Sequence, residues 1–440
     1  MNPLSRGACP GISQPMATGD GLLARLMPSA PIPLDALVAL CDAGATHGNG
    51  IIEVTQRGSL QIRGLSLASA PAFTQTAIAL RLGADGPPIL ASPLMGLDAR
   101  EHADLRPLVD GLRAALTSRT AVASLGPKVS VLIDGGGTLH LDEVSGDLRL
   151  RAGADSRLHL SIAGTAAAAT SLGWVERHDA LEVMIHVLTR IARRGADARA
   201  RDFADGAGSG ALRASLASTL GNDPPPNPKP SVEPIGVHAL HDGQVALGAA
   251  LAFGYTEASV LKRFAQAAAR CGATGIQPAP GRALLCFGLS AAAADECAAA
   301  AAAAGFVVRP DDPRRSVVAC AGAPACGFAK LATRALAPAI AQAARPLLDG
   351  SLLIHLSGCA KGCAHPGGAA LTLIGPDRLV VRGRAGDMPH GITSTADFVA
   401  GLPRLHAKRL RSHAHPERSA DMLSRLGSAG VLAVMRGEGA

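Results

Sequence analysis

Two cysteine turns, C-A-G-A-P-A-C at residues 320–326 and C-A-K-G-C at residues 359–363, decide how this chain is read. A stretch with the pattern of a helix and then a strand separates them, and the second turn follows the run L-L-I-H-L-S-G. Cys320 and Cys326 enclose five residues, Cys359 and Cys363 three. Four thiolates on Gly/Ala-rich turns can surround an iron–sulfur cluster, because small residues let backbone N–H groups approach the sulfurs and stabilise their negative charge. A structural zinc site also uses four thiolates but pairs them as C-x2–4-C, which the five-residue gap fits poorly. Cys41, Cys271, Cys286 and Cys297 are scattered singles and read as small core residues.

Outward from these turns, composition bounds the rest. A chain of 440 residues is too long for one ordinary core and calls for two or three domains. Apolar residues make up 48% but aromatics only 2%, so the interior is built from Ala, Leu, Val and Ile. Such a chain lacks aromatic platforms for stacking bases, which argues against nucleic acid as a partner. The formal charge of +7 comes mostly from dispersed arginine. Guanidinium groups facing a cleft would suit a ligand with several carboxylates.

The start, M-N-P-L-S-R-G-A-C-P-G, has no apolar signal core, and the apolar tract at 291–308 is interrupted by Asp295 and Glu296. A cytoplasmic protein without a membrane partner is therefore expected, its nine cysteines pointing to a reducing compartment and a cofactor rather than disulfides.

Taken in order, the pattern predicts a strand at 22–27, a helix at 33–43, a hairpin from 50–55 and 59–63, and a helix at 70–82. This order suggests an α+β fold with helices on one face of a largely antiparallel sheet. A helix at 104–116, strands at 129–133, 148–151 and 158–162, a D-G-G-G turn at 134–137 and a helix at 179–193 follow. From about 194 the pattern dissolves and ends in N-D-P-P-P-N-P-K-P-S-V-E-P, an extended spacer with a boundary near residue 230. Beyond it the beginning repeats weakly. D-G, then a helix at 256–270, then G-A-T at Gly272 and G-L-S at Gly288 match D-G, a helix, G-A-T at Gly44 and G-L-S at Gly64. Two similar halves imply a pseudo-twofold body with a ligand pocket between them. The first copy carries Arg25, Arg57 and Arg63, while the second has Gly248 and mostly Ala, Pro or Leu at comparable places. A hairpin around 376–387 and helices at 396–411 and 417–425 complete the chain, and H-A-H-P at 413–416 reads as a surface turn. No dinucleotide fingerprint is visible: G-N-G at 48–50 lacks the third glycine and the acidic residue.

Together these residues resemble the nitrite/sulfite reductase superfamily. T-Q-R-G-S-L-Q-I-R-G at 55–64 is similar to its tetrapyrrole- and anion-facing hairpin, and L-G-P-K-V-S-V at 125–131 to its lysine-bearing strand. More narrowly, R-G-A-C-P, P-M-A-T-G-D-G-L-L-A-R and H-L-S-G-C-A-K-G-C-A-H-P resemble the precorrin-3B synthase family of aerobic cobalamin synthesis. The resemblance implies two pseudo-symmetric halves, each a ferredoxin-like half-domain plus a mixed α/β lobe of sulfite/nitrite-reductase type. The expected divisions are 1–85 and 86–195, a linker at 196–234, then 235–308 and an iron–sulfur lobe at 309–440 with C-terminal helices.

It further implies an O2-dependent monooxygenase that hydroxylates precorrin-3A and closes a lactone, with a [4Fe-4S] cluster on Cys320, Cys326, Cys359 and Cys363. Arg57, Arg63 and Lys128, with Arg25, would meet the tetrapyrrole carboxylates. An NADH-linked reductase or a ferredoxin would deliver electrons. O2 activation would call for a second, non-haem iron on two His and a carboxylate. His47, His140, His159 and His365 are candidates that the sequence does not rank.

Three departures separate the chain from the reductases. Lys361 and Gly362 stand inside the second cysteine pair where reductases read C-x-N-x-C-G. P-P-I-L-A-S-P-L-M-G at 87–96 lacks an expected arginine, and Ser130 replaces a frequent second lysine. The alternatives are a sirohaem-dependent sulfite or nitrite reductase and a non-catalytic iron–sulfur tetrapyrrole carrier or electron-transfer protein.

Overall fold

Along the strand Gly21–Leu26 the side chains alternate: Leu22, Ala24 and Leu26 enter a hydrophobic core, while Leu23 and Arg25 face the other way. The hairpin Ile51–Val54 and Leu60–Leu65 continues both faces, with Ile52, Val54, Leu60 and Ile62 on the core side. The helix Leu34–His47 closes that side with Leu37, Leu40, Cys41 and Gly44, one stripe at helical spacing. Residues 9–82, 86–122, 124–230, 232–411 and 417–438 are described by this computed structural model. Arg6, Gly7 and Ala8 of R-G-A-C-P and the H-A-H-P turn lie outside them.

The second half repeats the arrangement with Val245–Ala250, Gly275–Ala279 and Ala283–Leu289 and the helix Ala258–Arg270. Each sheet borrows its fifth strand from the other half. Tyr255–Glu257 pairs with Ile51–Val54, and Ile32–Pro33 pairs with Gly275–Ala279. The helices Leu34–His47 and Ala258–Arg270 pack on each other, and one hydrophobic core runs through both halves. The two ferredoxin-like units are therefore a single body.

Register identifies equivalent positions. Ile62 pairs with Ile52 and Ala24, and Cys286 with Ile276 and Leu247. Each central strand then shifts register, at Gly64 (φ +72°) in one half and Gly288 (φ +83°) in the other. The G-L-S repeat thus marks one structural device used twice. The G-A-T repeat does not: Gly44 lies inside a helix, whereas Gly272 (φ +89°) follows one.

The two lobes also share a topology. In the first, Ile89–Ala91, Val131–Asp134 and Gly146–Ala152 run parallel, and Leu158–Gly164 and Thr170–Val175 antiparallel. In the second, Val317–Ala319, Ile354–Ser357 and Ala369–Ile374 are parallel, with Arg378–Gly383 and Gly391–Ile392 antiparallel. Helices Arg106–Ser118 and Thr333–Ala344 each make the first parallel crossover. The α+β class with two pseudo-symmetric halves is the fold observed.

Two elements were not legible locally. Thr170–Val175 carries a register shift beside Gly173 (φ +138°), which interrupts the alternation that marks a strand. Inside the segment read as spacer, Gly206–Ala214 is a helix, started by the Asp205 carboxylate accepting from the Gly208 N–H at 2.7 Å and buried through Leu212. Its three glycines conceal it. The proline run that follows is held along the first lobe: Trp174 Nε1 donates to Pro224 O (3.0 Å), Arg151 to Asn227 O (3.1 Å) and Lys229 Nζ to Gly136 O (2.6 Å). Among the described residues no helix is long and apolar enough to cross a membrane.

Candidate active site

The face of the first sheet turned away from the helices forms the floor of a cavity of about 690 Å³, within the range of small-molecule clefts. Leu23, Arg25, Glu53, Thr55, Gln61 and Arg63 lie on that floor. All four cysteines of the two turns line another wall of the same cavity.

The cysteine turns are gripped from several sides. Lys330 N–H donates to Gly358 O (2.8 Å), tying one turn to the other, and the Gly358 N–H donates to Cys320 Sγ (3.1 Å). From the first half, Gly19 N–H (3.2 Å) and Arg63 Nη2 (2.6 Å) both donate to Ala325 O, one residue before Cys326. A Cβ at Gly19 would lie 2.5 Å from the Gly327 nitrogen, so the approach requires glycine. Burial raises the Cys363 pKa, and Cys359, Cys320 and Cys326 raise it further, with Lys361 opposing. The four sulfurs therefore share one field.

This wall fits an iron–sulfur cluster. Its donors are all thiols, and a backbone N–H already points at one sulfur. Among the described residues no three His, Cys, Asp or Glu side chains form the cage of a single ion.

The expected basic residues share the cavity but differ in state. Arg63 is only 4% exposed and is engaged with two carboxylates: Nε and Nη2 donate to Asp20 (2.9 and 2.7 Å), and Nη1 lies 3.3 Å from Glu53. Burial works to lower its pKa, but Glu53 and Asp20 outweigh it and the net shift is upward. For Asp20 burial pushes upward, and the Arg63 contacts carry the net shift down. Arg63 thus serves the protein's own carboxylates and the cysteine loop. Arg57 is accessible in the hairpin turn; crowding lowers its pKa through desolvation, Asp147 opposes this, and Arg25 and Arg199 add to it. Arg25 donates to Cys9 Sγ (2.9 Å), and its buried Nε has no partner among the described residues. Lys128 is an exposed residue of the same lining.

The four candidate histidines are dispersed. His47 ends a helix, His140 hydrogen-bonds Pro230 O (2.9 Å), and His159 bonds Ser171 (2.8 Å), with burial and nearby Arg151 and Arg149 pushing its pKa down to about 4. His365 bonds Gly368 O (3.1 Å) and faces His355 edge-on at 5.7 Å. No histidine is among the described residues lining the cavity, so they do not assemble the facial triad that the second iron would need. His355, 0% exposed on the strand leading to Cys359, has no partner among the described residues for either ring nitrogen; burial, then His365 and Arg282, push its pKa down to about 4.

Several lining residues escaped the sequence reading. Arg199 comes from the segment taken as spacer and is anchored on Asp147 (2.9 and 2.7 Å). Arg334 pairs with Glu53 and lies 4.5 Å over the Tyr255 ring, and Lys361 lies 4.2 Å over Phe328. Arg282 was findable: counted back from the two bulge glycines, R-G at 57–58 is mirrored by G-R at 281–282.

The fold and the cysteine-walled cavity place the chain among proteins of sulfite/nitrite-reductase architecture. The solved structure of the Mycobacterium tuberculosis NirA protein superposes with a TM-score of 0.76 at 18% identity, over 93% of this chain and 84% of that one. A ferredoxin–nitrite reductase of Synechococcus elongatus is 26% identical over 405 residues, 83% of this chain and 78% of its own. A precorrin-3B synthase of a Sinorhizobium species is 38% identical over 438 residues, covering 98% of this chain and 94% of its own. The chain belongs to the precorrin-3B synthase family. No family model matches it.

Proposed function

We propose that the protein is a precorrin-3B synthase that hydroxylates precorrin-3A with O2 and closes a lactone from a ring A acetate. One oxygen atom enters the substrate and the other leaves as water, the reaction consuming two protons from solvent and two electrons from an external ferredoxin or NADH-linked reductase. The observation that carries this reading is the junction, in one 690 Å³ cavity, of four cysteines with Arg25, Arg57, Arg199 and Lys128. It is supported by the 38% identity to the Sinorhizobium enzyme over nearly the whole chain.

Cys320, Cys326, Cys359 and Cys363 would hold a [4Fe-4S] cluster, which supplies single electrons that no ordinary side chain provides. Arg57 and Arg25, with Lys128 at the rim, would receive the acetate and propionate groups of the macrocycle, each shielded contact contributing about 2 kcal/mol. Arg63 would fix the floor and the cysteine loop. Ser130, Pro88 and Leu90 occupy the lining where the resemblance to the reductases expects a second lysine and an arginine, groups that six-electron reduction of a small oxyanion would use.

The test is anaerobic purification with iron and sulfide analysis, then turnover of precorrin-3A under 18O2. One labelled oxygen in the product is expected. Bound sirohaem with reduction of sulfite or nitrite would overturn the reading in favour of a reductase. Tetrapyrrole binding without O2 consumption would leave a carrier.

A further inference from the structure

Arg282 stands where the first half has Gly58. Both sit six residues before a bulge glycine, and both are left-handed, at φ +62° and +78°. That backbone suits glycine and costs about 1 kcal/mol or more for arginine. The side chain runs past Gly254, where a Cβ would lie 2.7 Å from Arg282 Cδ, and enters the cavity lining. There Nη2 donates to the Ala364 carbonyl at 3.0 Å, one residue after Cys363.

Among the described residues Arg282 forms no ion pair with a carboxylate. Its charged neighbour Arg315 is itself taken by Glu233 at 2.7 Å. Burial, with Arg315 adding, lowers its pKa to about 10, and no acid opposes the shift. Arg282 is half-buried, and a partly desolvated cation is costly unless an anion answers it. Four deprotonated cysteines around a cluster would be that anion.

We infer that Arg282 is a positioning residue for the iron–sulfur cluster, holding the Cys359–Cys363 turn through Ala364 and supplying, from the cavity wall, a positive charge that raises the cluster's reduction potential. This rests on the cluster proposed above. Reduction adds one negative charge, so a fixed cation nearby favours the reduced form.

The experiment is an EPR-monitored redox titration of full-length, anaerobically reconstituted wild type, R282Q and R282K. In R282Q the equilibrium constant for reduction should fall about tenfold or more, about 59 mV for a one-electron couple. R282K should stay close to wild type. A cluster lost from R282Q but retained by R282K would also support the role of charge. A wild-type protein that binds no iron and sulfide overturns the cluster and this inference together. A wild-type cluster whose potential is unchanged in R282Q overturns the inference alone, including when tetrapyrrole affinity falls. Loss of the cluster from both variants would overturn the charge role.

Discussion

The two ferredoxin-like halves share a sheet, a helix and a glycine bulge, yet their outer faces have opposite fates. On the first, Leu23, Arg25, Ser59, Gln61 and Arg63 border an open cavity. On the second, the equivalent positions are Ala246, Gly248, Ala283, Leu285 and Phe287. Four of these five join Leu94 and Leu139 from the first lobe and Ile235 in a closed apolar cluster. At Gly248 a Cβ would collide with the Pro234 carbonyl, so the chain entering the second half presses directly on that strand. Duplication built two clefts of one kind; side-chain size and charge filled one and left the other for a ligand.

The largest expected effect lies at the cysteine wall of the open cavity. Cys359→Ser should lose iron and acid-labile sulfide, read by metal analysis and visible absorption, while Cys297→Ala, in the closed core shared by the two ferredoxin-like units, keeps the full complement. Loss in both would break the comparison. Next come the equivalent residues Arg63 and Phe287. Arg63→Ala leaves Asp20 and Glu53 short of their buried partner and should destabilise by about 3 kcal/mol in denaturant unfolding. Phe287→Ala should cost a similar ~3 kcal/mol through an unfilled cavity, with tetrapyrrole affinity unchanged.

Arg57→Ala should weaken tetrapyrrole binding by about 2 kcal/mol, roughly 30-fold, and leave the cluster absorbance intact. Titration of both spectra separates the two effects.

Glu101 offers a pH test on the closed side. Its carboxylate accepts from Gly96 N–H at 2.6 Å, in the loop that carries Leu94. Burial, with Asp104, Asp98 and Asp134 adding, raises its pKa to about 7 against an ordinary 4.5, the Gly96 bond opposing. Because the folded pKa is the higher one, its stabilising contribution is complete below about pH 4.5 and lost as pH rises through 7. Glu101→Gln should therefore gain about 1 kcal/mol over wild type at pH 8 and nothing at pH 4, read from unfolding midpoints. The smallest effect belongs to exposed Lys128: Lys128→Ala should lower tetrapyrrole affinity about threefold, less in high salt.

Much of this was legible in the residues themselves. The 3.6- and 2-residue periods marked the first sheet and its helices, and the G-L-S repeat marked the bulge shared by both halves. The contrast between Arg25 and Gly248 announced that the two faces differ. The helix Gly206–Ala214 and the strand Thr170–Val175 were hidden because glycine blurs the local periods, and packing on the first lobe supplies what their sequences lack.

By itself the sequence determined the spacing of the cysteines, the duplicated fold and the imbalance of charge between its copies, since each is written in neighbouring or regularly repeated residues. Only the tertiary structure decided that Arg63 answers Asp20 and Glu53, that Arg199 and Arg282 join the cavity, and that each half lends the other a strand. Those outcomes depend on which distant loops meet, and a charge finds its partner through space, where order along the chain gives no distance.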